Sequence, residues 1–301
     1  MRLAVAEDVR DVYLEGLPAE VEVVRFPLEG PPGPRVLEAE FVVPTRRVMA
    51  EALKRMPRLE VVQTISAGVD WVLPHVPQGV TLADARGVHD VAVSEWVLAA
   101  LLVWVKHLPE LFEHQRQARW AAGLRPGELA GRTVLILGYG SIGRAVEARL
   151  APFGVRLLRV ARRPRAGVHG PDALPELLPR ADAVVLLLPL TPASRGRVDA
   201  DFLARMKPGA LLANAGRGAL VDTSALLEAL RAGRVRAALD VTDPEPLPAD
   251  HPLWRAPGVW ITPHLAGSSP QLRARGFALV RAQVARYLEG LPLFNVVNEG
   301  Y

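Results

Sequence analysis

The feature that most restricts the fold of this chain is a glycine-rich turn, residues 138–143, with the sequence GYGSIG. The five-residue run Thr133–Leu137 precedes it and has the apolar character expected of a strand covered on both faces. The segment that follows, Ser141–Leu150, has the amphipathic pattern of a helix. Two further apolar runs, residues 155–160 and 183–188, continue the alternation of strand and helix. This alternation predicts an α/β fold with parallel sheets.

The first third of the chain shows the same alternation with shorter runs. Its strand candidates lie at residues 2–6, 21–25, 41–43, 59–63 and 80–83. A last helix is predicted over residues 271–288, and we expect it to cross back to the first domain. We therefore predict two doubly wound parallel-sheet, Rossmann-like domains with a cleft between them. One domain is discontinuous and comprises residues 1–95 plus 267–301, and the other comprises residues 96–266.

Composition argues against several classes of protein. The chain has no cysteine, so disulfides, thiolate metal sites and thiol catalysis are excluded, and its seven histidines form no metal-binding pattern. The net charge is only +4 and the arginines are scattered, so we expect no nucleic-acid partner. The longest apolar run, residues 96–105, is about half the roughly 20 residues that a membrane span needs. The charged start of the chain does not resemble a signal peptide. We expect a cytoplasmic protein with no membrane partner and no metal.

The context of the glycine turn predicts a dinucleotide site. A lone GxGxxG is weak evidence, but a strand before it and a helix after it are the context that supports the fingerprint. Gly138 permits the tight turn, Gly140 lets the backbone approach a pyrophosphate, and Gly143 allows close packing of helix on strand. The N-terminus of the helix then offers free N–H groups to the phosphates. A purely structural turn is the alternative.

The residues after the next strand bear on which dinucleotide is bound. Enzymes that use NAD place an acidic residue there to hold the ribose 2′-hydroxyl. This chain has Val160-Ala161-Arg162-Arg163-Pro164-Arg165, without Asp or Glu. Paired guanidinium groups can bind a 2′-phosphate, which a carboxylate would repel. Arg162 and Arg163 could also be an ordinary surface pair, but the missing acid favours NADP(H) over NAD(H).

Three motifs in the second half deliver an Arg, a Glu and a His, each at the end of an apolar, strand-like run. They are Asn214-Ala215-Gly216-Arg217-Gly218, Asp240-Val241-Thr242-Asp243-Pro244-Glu245-Pro246 and Thr262-Pro263-His264-Leu265-Ala266-Gly267. An arginine can hold a carboxylate and polarise a carbonyl as negative charge develops. A histidine kept protonated by a nearby carboxylate can give a proton to the carbonyl oxygen. Each residue alone has a structural interpretation, but the ordered set favours 2-keto acid reduction beside a nicotinamide ring.

In these motifs the chain resembles the D-isomer-specific 2-hydroxyacid dehydrogenase family, which includes glyoxylate/hydroxypyruvate reductases and phosphoglycerate dehydrogenases. The resemblance covers nearly the whole chain. It extends to Ser66-Ala67-Gly68-Val69-Asp70, Gly131-Arg132-Thr133 and Leu188-Pro189-Leu190-Thr191. Arg217, Glu245 and His264 fall on the family's catalytic Arg, Glu and His. The resemblance implies an NAD(P)-dependent oxidoreductase acting on a small 2-keto or D-2-hydroxy acid such as glyoxylate or hydroxypyruvate.

The resemblance also implies contacts for other residues. The substrate carboxylate is expected on Arg217 and on the backbone amides of a loop formed by Ser66, Ala67 and Gly68, for which a plain turn is the alternative. Cofactor contacts are expected at the pyrophosphate from Ser141 and Ile142, on the adenosine side from Leu188, Pro189 and Ser194, and at the nicotinamide from Ala215 and Asp240. Asp240 could accept from the carboxamide, or equally cap local N–H groups. Residues 1–95 plus 267–301 are then the substrate-binding domain, and residues 96–266 the dinucleotide-binding domain.

The chain departs from the family at the substrate side. Arg86 and His89 stand where relatives commonly carry Asn or Pro, so the identity of the acid stays open. Thr242 stands where the family often has an aromatic residue. The chain ends soon after the last predicted helix, and we expect no regulatory extension of the kind found in some phosphoglycerate dehydrogenases.

Two rival functions share this fold. Formate dehydrogenases pair the catalytic His with Gln, and Glu245 argues against that reaction. A dinucleotide-sensing protein similar to transcriptional corepressors is the rival from another class, and the complete set of Arg, Glu and His argues against it. In either case the broad apolar stretch at residues 96–105, together with family behaviour, predicts a homodimer.

Overall fold

The computed structural model describes residues 1–45 and 47–297. The chain forms two compact units, one of Met1–His89 with the segment from Ser268 onward, and one of Asp90–Gly267. The predicted boundary between residues 95 and 96 differs from this division because it falls inside a helix, Asp90–Val105. From Trp96 onward this helix packs in a core of the second unit, and Asp90 at its start contacts Ser141 of the same unit, so all of the helix stays with that unit.

Strands and helices are numbered along the chain. The strands are β1 (Arg2–Ala6), β2 (Glu22–Phe26), β3 (Phe41–Val42), β4 (Val61–Gln63), β5 (Thr81–Ala83), β6 (Thr133–Leu137), β7 (Arg156–Val160), β8 (Ala183–Leu186), β9 (Ala210–Asn214), β10 (Val235–Leu239) and β11 (Val259–Ile261). The α-helices are α1 (Pro34–Leu37), α2 (Arg47–Ala52), α3 (Asp90–Val105), α4 (Leu108–Arg116), α5 (Ser141–Leu150), α6 (Leu174–Leu177), α7 (Ala200–Arg205), α8 (Thr223–Arg231) and α9 (Leu272–Leu288).

The first unit contains a five-stranded parallel sheet in the order β2-β1-β3-β4-β5. Its core includes Phe26 and Phe41 from the sheet and Phe277, Val280 and Val284 from α9. The last helix therefore packs into the core of the first unit, which is where the sequence expectation placed it.

The second unit contains a six-stranded parallel sheet in the order β11-β10-β9-β8-β6-β7. Along β6, Leu135 and Leu137 belong to one buried cluster, whereas Val134 and Ile136 belong to another, which also contains residues of α3. Both faces of the sheet are thus covered, which explains why β6 is apolar from Val134 to Leu137. The prediction of two parallel-sheet, Rossmann-like units is confirmed.

The chain leaves β6 toward β7 on one side of the sheet and then returns to form β8 on the other side. The strand order therefore reverses at β6. Ligands of open α/β sheets bind beyond the carboxyl ends of the strands at such a reversal. The glycine turn follows β6 directly and lies at this position.

None of the helices in the described ranges is, by itself, both long and apolar enough to cross a membrane. Helices α3 and α4 meet the length and composition criteria only as a pair, and the pair is bent by 65°.

Candidate active site

Three neighbouring strands carry the three predicted catalytic side chains. In the sheet order, β9 lies beside β10 and β10 beside β11, all parallel. The loops that follow these strands therefore leave the same edge of the sheet. They hold Arg217 after β9, Glu245 after β10 and His264 after β11. The fold thus collects on one edge residues that are far apart in sequence.

His264 and Glu245 are in direct contact. The Nδ1 atom of His264 lies 2.5 Å from Oε1 of Glu245, with the two side chains 50% and 40% exposed. A carboxylate at Nδ1 selects the tautomer with a proton there and stabilises the imidazolium. Nε2 is then the ring nitrogen available to a substrate.

The backbone of His264 is in the left-handed region, with φ of 54°, an uncommon conformation for a residue with a side chain. It is held by Asp240 at the end of β10, which is 3% exposed. The Asp240 carbonyl accepts from the His264 N–H at 2.7 Å. Its carboxylate accepts from the N–H groups of Leu265 and Ala266 at 2.8 and 2.9 Å. Asp240 therefore fixes the loop that presents the imidazole.

These contacts bear on the two alternatives for Asp240. Both carboxylate oxygens accept hydrogen bonds from the His264 loop, since Thr262 Oγ1 also donates to Oδ1, at 2.6 Å. The capping of local N–H groups is thus observed. A contact with the nicotinamide carboxamide stays a prediction.

Trp96 is a contributor that the sequence analysis missed. Its Nε1–H, on α3, donates to Thr262 Oγ1 at 2.9 Å, and its ring stacks on that of Trp260 with centroids 5.6 Å apart. Thr262 in turn donates to Asp240. The partners are 166 residues apart in sequence, so no local pattern could have indicated this chain of hydrogen bonds.

Arg217 lies in a loop shaped by Asn214, which is 1% exposed. Asn214 Oδ1 accepts from the Gly216 N–H at 3.0 Å, and Asn214 Nδ2 donates to the Arg217 carbonyl at 2.9 Å. The Arg217 side chain is half-buried, and its Nη1 donates to the Gly216 carbonyl at 2.8 Å. The small residues of this motif are thus required by a tight, internally bonded turn.

The glycine turn has the features expected of a dinucleotide loop. Gly138 has φ of 106°, and a Cβ there would lie 2.6 Å from the Leu187 carbonyl carbon. A Cβ on Gly143 would lie 3.2 Å from the Gly138 carbonyl oxygen, whereas one on Gly140 would meet nothing within 4 Å. Gly138 and Gly143 therefore serve packing, and Gly140 leaves open space at the N-terminus of α5. That terminus has no side-chain cap, so its N–H groups can donate hydrogen bonds to phosphate oxygens. The residues fit a dinucleotide.

Ser141, the first residue of α5, donates its hydroxyl to the carboxylate of Asp90, the first residue of α3. The other carboxylate oxygen of Asp90 is buried and accepts no hydrogen bond from the described residues. Ile142 follows Ser141 and is half-buried. The hydroxyl of Ser141 is thus engaged within the protein, which leaves its backbone N–H as the group for a phosphate.

The loop after β8 is fixed by Ser194, which is 9% exposed. Its hydroxyl donates to the Pro189 carbonyl at 2.7 Å and accepts from the Thr191 N–H at 2.8 Å. The carbonyl oxygen of Leu188 would lie 2.9 Å from a Cβ on Gly216, so this loop packs closely on the Arg217 loop. The predicted adenosine-side residues thus form one ordered loop, in which the Ser194 hydroxyl has an internal role.

Arg162 and Arg163 are exposed after β7. Neither guanidinium group has a hydrogen bond or ion pair within residues 1–45 and 47–297.

Ala215, the predicted nicotinamide neighbour, is half-buried, and its N–H donates to the Leu186 carbonyl at 3.2 Å.

The predicted carboxylate loop lies in the first unit, after β4. Thr64 Oγ1 donates to the Ser66 carbonyl at 2.6 Å, and Ser66 Oγ donates to the Gly68 carbonyl at 2.9 Å. The Ser66 carbonyl also accepts from the Ala85 N–H at 3.0 Å. Ser66, Ala67 and Gly68 therefore form a rigid turn at the carboxyl end of the first sheet.

Arg86, where the chain departs from the family it resembles, lies on the next loop of the same unit. Its Nη2 donates to the Asp84 carboxylate at 3.0 Å. Asp84 is 2% exposed, and burial raises the pKa of its carboxyl group, although the bonds from Arg86 act in the opposite direction.

In the part of the chain that the structure describes, no group of three or more His, Asp or Glu side chains could hold a metal ion.

Comparisons with known proteins identify the family. Residues 98–266 match the model of the D-isomer specific 2-hydroxyacid dehydrogenase, NAD binding domain. The chain is 34% identical to the human glyoxylate reductase/hydroxypyruvate reductase, over 78% of this chain and 76% of that protein. It is 35% identical to the D-3-phosphoglycerate dehydrogenase of Mycobacterium tuberculosis over 87% of this chain, but spans about half, 51%, of that protein's length.

A solved structure supports the same family assignment. The NADPH-dependent glyoxylate/hydroxypyruvate reductase of Sinorhizobium meliloti, in complex with NADP and sulfate, superposes with a TM-score of 0.84 at 31% identity, covering 99% of this chain and 98% of that one. A formate dehydrogenase of Arabidopsis thaliana is also similar, at 30% identity over 84% of this chain and 70% of that protein. The chain belongs to the D-isomer specific 2-hydroxyacid dehydrogenase family, and is an oxidoreductase with an NAD(P)-binding domain.

Proposed function

We propose that this protein reduces small 2-keto acids, such as glyoxylate or hydroxypyruvate, to D-2-hydroxy acids, with NADPH preferred to NADH. The observation that carries the proposal is the 2.5 Å contact of His264 Nδ1 with Glu245, on the loop next to that of Arg217. In this arrangement the Nε2–H group of a His264 imidazolium can serve as an acid, and the Arg217 guanidinium group can bind an anion. A 2-keto acid offers the carbonyl and the carboxylate that these two groups require.

The roles of the residues follow from their chemistry. Arg217 binds the substrate carboxylate and polarises the carbonyl as its oxygen gains negative charge. His264 gives the Nε2 proton to that oxygen, and Glu245 stabilises the imidazolium before the transfer. When bound, the reduced nicotinamide supplies the hydride that adds to C2. The addition of one hydride to C2 and one proton to the oxygen converts the carbonyl group into a hydroxyl group.

The backbone amides of Ser66, Ala67 and Gly68 bind the same carboxylate in this proposal. The rigidity of the turn supports it, because amides held in place by internal hydrogen bonds lose little conformational freedom when an anion binds.

The glycine turn and the residues after β7 and β8 bind the dinucleotide in this proposal. Gly138, Gly140, Gly143, Ser141 and Ile142 hold the pyrophosphate; Leu188, Pro189 and Ser194 lie on the adenosine side; and Ala215 and Asp240 lie at the nicotinamide. Arg162 and Arg163 bind the 2′-phosphate. Their exposure, the absence of an acidic residue beside them and the NADP bound to the Sinorhizobium meliloti reductase support the preference for NADP(H).

Parallel initial-rate measurements test the function. Glyoxylate and hydroxypyruvate are each offered to the full chain with NADPH and with NADH. Faster turnover with NADPH is expected, and His264→Gln should lower kcat by about 100-fold or more while dinucleotide binding persists. Turnover with NADH alone would contradict the cofactor preference. Dinucleotide binding without turnover across a panel of keto acids would favour a sensing role, and NAD-dependent oxidation of formate would favour the formate reaction.

A homodimer is also part of this proposal. A cavity of about 640 Å³ opens on α3 and α4 and is lined by Val103, Trp104, Glu110, His114, Arg236 and Trp254 among others. Two buried atoms there, Glu110 Oε2 and His114 Nδ1, have no hydrogen-bond partner among the described residues. A second copy covering this face would bury the partly exposed apolar residues of α3 and offer partners to both atoms.

Light scattering tests the dimer. At micromolar concentration the expected mass is twice that of one chain, and Val103→Glu should produce monomers, because it places an unpaired charge in the interface. Ala121→Glu, a change outside the cavity lining, is the control. A monomeric wild-type protein would contradict the proposal.

A further inference from the structure

The chain turns back on itself after β7, and this segment, residues 161–169, is termed the cation turn. Ala161 N–H donates to the His169 carbonyl at 3.0 Å, and His169 N–H donates to the Arg159 carbonyl at 2.8 Å. At the tip, Arg165 and Val168 exchange backbone hydrogen bonds of 3.1 and 2.8 Å. The cation turn therefore has a defined backbone, and its arginines at 162, 163 and 165 are all exposed.

Arg165 differs from the other two arginines because its side chain is held. Its Nη2 donates to the carbonyl of Tyr139 at 3.0 Å. The centre of its guanidinium group also lies 5.6 Å from the centroid of the Tyr139 ring. Tyr139 belongs to the glycine turn and directly precedes Gly140, beside which there is open space for a ligand. Arg165 thus links the cation turn to the glycine turn.

Tyr139 is itself fixed by contacts that do not involve Arg165. Its hydroxyl donates to Glu147 on α5, and Arg159 Nε on β7 donates to the same carboxylate at 2.9 Å. Arg159 lies 5.8 Å from the Tyr139 ring centroid. The ring therefore lies against two guanidinium groups, one from the strand and one from the cation turn. Its backbone is also fixed, because the Tyr139 N–H donates to the Val160 carbonyl at 2.9 Å.

The arrangement suggests a reason for an arginine at position 165. A charged turn of nine residues would lose conformational freedom when it bound a phosphate, and that loss weakens binding. The Arg165 guanidinium group donates to the Tyr139 carbonyl and stacks on the Tyr139 ring. Part of the conformational freedom of the cation turn is therefore already lost before a ligand binds. The gain applies only to ligands that contact both turns, namely adenine nucleotides that carry a 2′-phosphate as well as a 5′-phosphate.

We propose that Arg165 is a positioning residue for 2′-phosphate recognition: by its two contacts with Tyr139 it holds Arg162 and Arg163 in place relative to the pyrophosphate-binding turn. The inference rests on the proposed preference for NADP(H). It assigns to Arg165 the selectivity between phosphorylated and unphosphorylated dinucleotides, and it assigns to Tyr139 the support of Arg165.

Calorimetric titration of the full chain with two fragments tests this without turnover. Adenosine 2′,5′-bisphosphate carries the 2′-phosphate, and adenosine 5′-monophosphate lacks it. The quantity compared is the ratio of their dissociation constants. Arg165→Met should reduce the preference for the bisphosphate by about tenfold, as expected for the loss of one hydrogen bond to a charged group. Arg180→Met, an exposed arginine of the same unit, should leave the ratio unchanged.

Two further variants separate positioning from simple charge. Arg165→Lys keeps the charge but loses the planar group that stacks and bonds at once, so it should retain only part of the preference. Tyr139→Leu removes the ring beside Arg165 but keeps the backbone carbonyl that accepts from it, so it should lower the ratio in part. If Tyr139→Leu kept the full preference while Arg165→Met lost it, the support of Arg165 by the Tyr139 ring would be wrong.

The failures of the two proposals are distinguishable. A wild-type protein without preference for the bisphosphate contradicts the proposed NADP(H) selectivity, and the role of Arg165 falls with it. A wild-type preference that Arg165→Met leaves within twofold contradicts the role of Arg165 alone. Circular dichroism of each variant checks that it is folded, and Arg165→Lys supplies the comparison if Arg165→Met is not.

Discussion

The backbones of Gly218 and Thr242 approach so closely that a Cβ on Gly218 would lie 1.9 Å from the Thr242 carbonyl oxygen. Gly218 follows Arg217 on the β9 loop, and Thr242 lies on the β10 loop that leads to Glu245. The two loops are therefore in backbone contact, and the smallest side chain between them would force them apart. The spacing of Arg217 from the Glu245–His264 pair depends on this contact.

We expect Gly218→Ala to damage both stability and activity. The clash is with backbone rather than with a flexible side chain, so it should lower the free energy of unfolding by about 1–3 kcal/mol, the usual cost of overpacking. It should also lower kcat/KM, because Arg217 is displaced. Urea unfolding and initial rates check both effects. Gly123→Ala is the matched control, since a Cβ there meets nothing within 4 Å; equal behaviour of the two variants would contradict the argument.

Asp240→Asn should destabilise the loop that carries His264. An amide nitrogen would face one of the donors that now bond to the carboxylate, so a buried N–H or hydroxyl loses its partner at a cost of about 1–3 kcal/mol. The expected result is a lower unfolding midpoint together with a lower kcat. Asp250→Asn, on an exposed residue, serves as the control. Unchanged stability in Asp240→Asn would show that the loop is fixed by other contacts.

Trp96→Phe keeps an aromatic ring against Trp260 but removes the donor to Thr262. We expect a loss of about 1 kcal/mol in unfolding free energy, the typical net value of one hydrogen bond. Because Thr262 orients the Asp240 carboxylate, a several-fold decrease in kcat should accompany it, with little change in KM. Trp120→Phe, at a side chain 95% exposed, controls for the change of ring. An unaffected kcat would restrict Trp96 to packing.

Glu147→Gln should weaken the protein at neutral pH but not in acid. The hydrogen bonds from Arg159, and secondarily that from Tyr139, outweigh burial and hold the pKa of Glu147 below its usual value of 4.5. A carboxyl group whose folded pKa is lowered adds stability above its unfolded pKa, and that stability is lost as pH falls through the folded pKa. We therefore expect wild type to exceed Glu147→Gln by about 1–2 kcal/mol at pH 7.

The difference between wild type and Glu147→Gln should shrink steadily below pH 4.5. Urea unfolding of both proteins across this range measures it. A difference that stays constant with pH would mean that the contribution of Glu147 does not depend on its charge.

Glu245→Gln tests the acid–base pair. Glutamine can hold the imidazole through a neutral hydrogen bond but does not stabilise the imidazolium, so keto-acid reduction should fall by about 10- to 100-fold. Initial rates of wild type, Glu245→Gln and the exposed-site control Glu228→Gln at one pH measure this. A rate of Glu245→Gln within twofold of wild type would contradict a role for the carboxylate in the proton transfer.

Much of the scaffold could be predicted from the sequence because its strands are covered on both faces. Thr133–Leu137 and Ser141–Leu150 have the bounds that periodicity indicated, since a strand buried on two sides and a helix buried on one leave clear patterns. The domain boundary was placed too late because the apolar run starts at Trp96, whereas α3 begins at Asp90. The first turn of that helix includes Asp90, whose carboxylate contacts Ser141, and apolarity does not mark such a residue.

The motifs that carry the candidate site residues could be predicted from the sequence. The residues that hold their loops in place could be predicted only in part. The proximity of Glu245 and His264 follows from loops on adjacent strands. The role of Asp240 could not be decided in advance, because one buried aspartate can serve a ligand or its own loop. The contacts of Trp96 with Thr262 and of Arg165 with Tyr139 depend on tertiary packing, for which a single sequence carries no periodic signal.

Helix α3 touches the glycine turn through Asp90 and the His264 loop through Trp96. These residues are six positions apart, so the helix rise separates the two contacts by about 9 Å. α3 thus sets the distance between the glycine turn and the His264 loop. One residue inserted between Asp90 and Trp96 would shift the rest of the helix along its axis and also rotate it by about 100°. The two contacts therefore require a fixed number of residues between Asp90 and Trp96, and an insertion or deletion in this short piece of helix should break one of them.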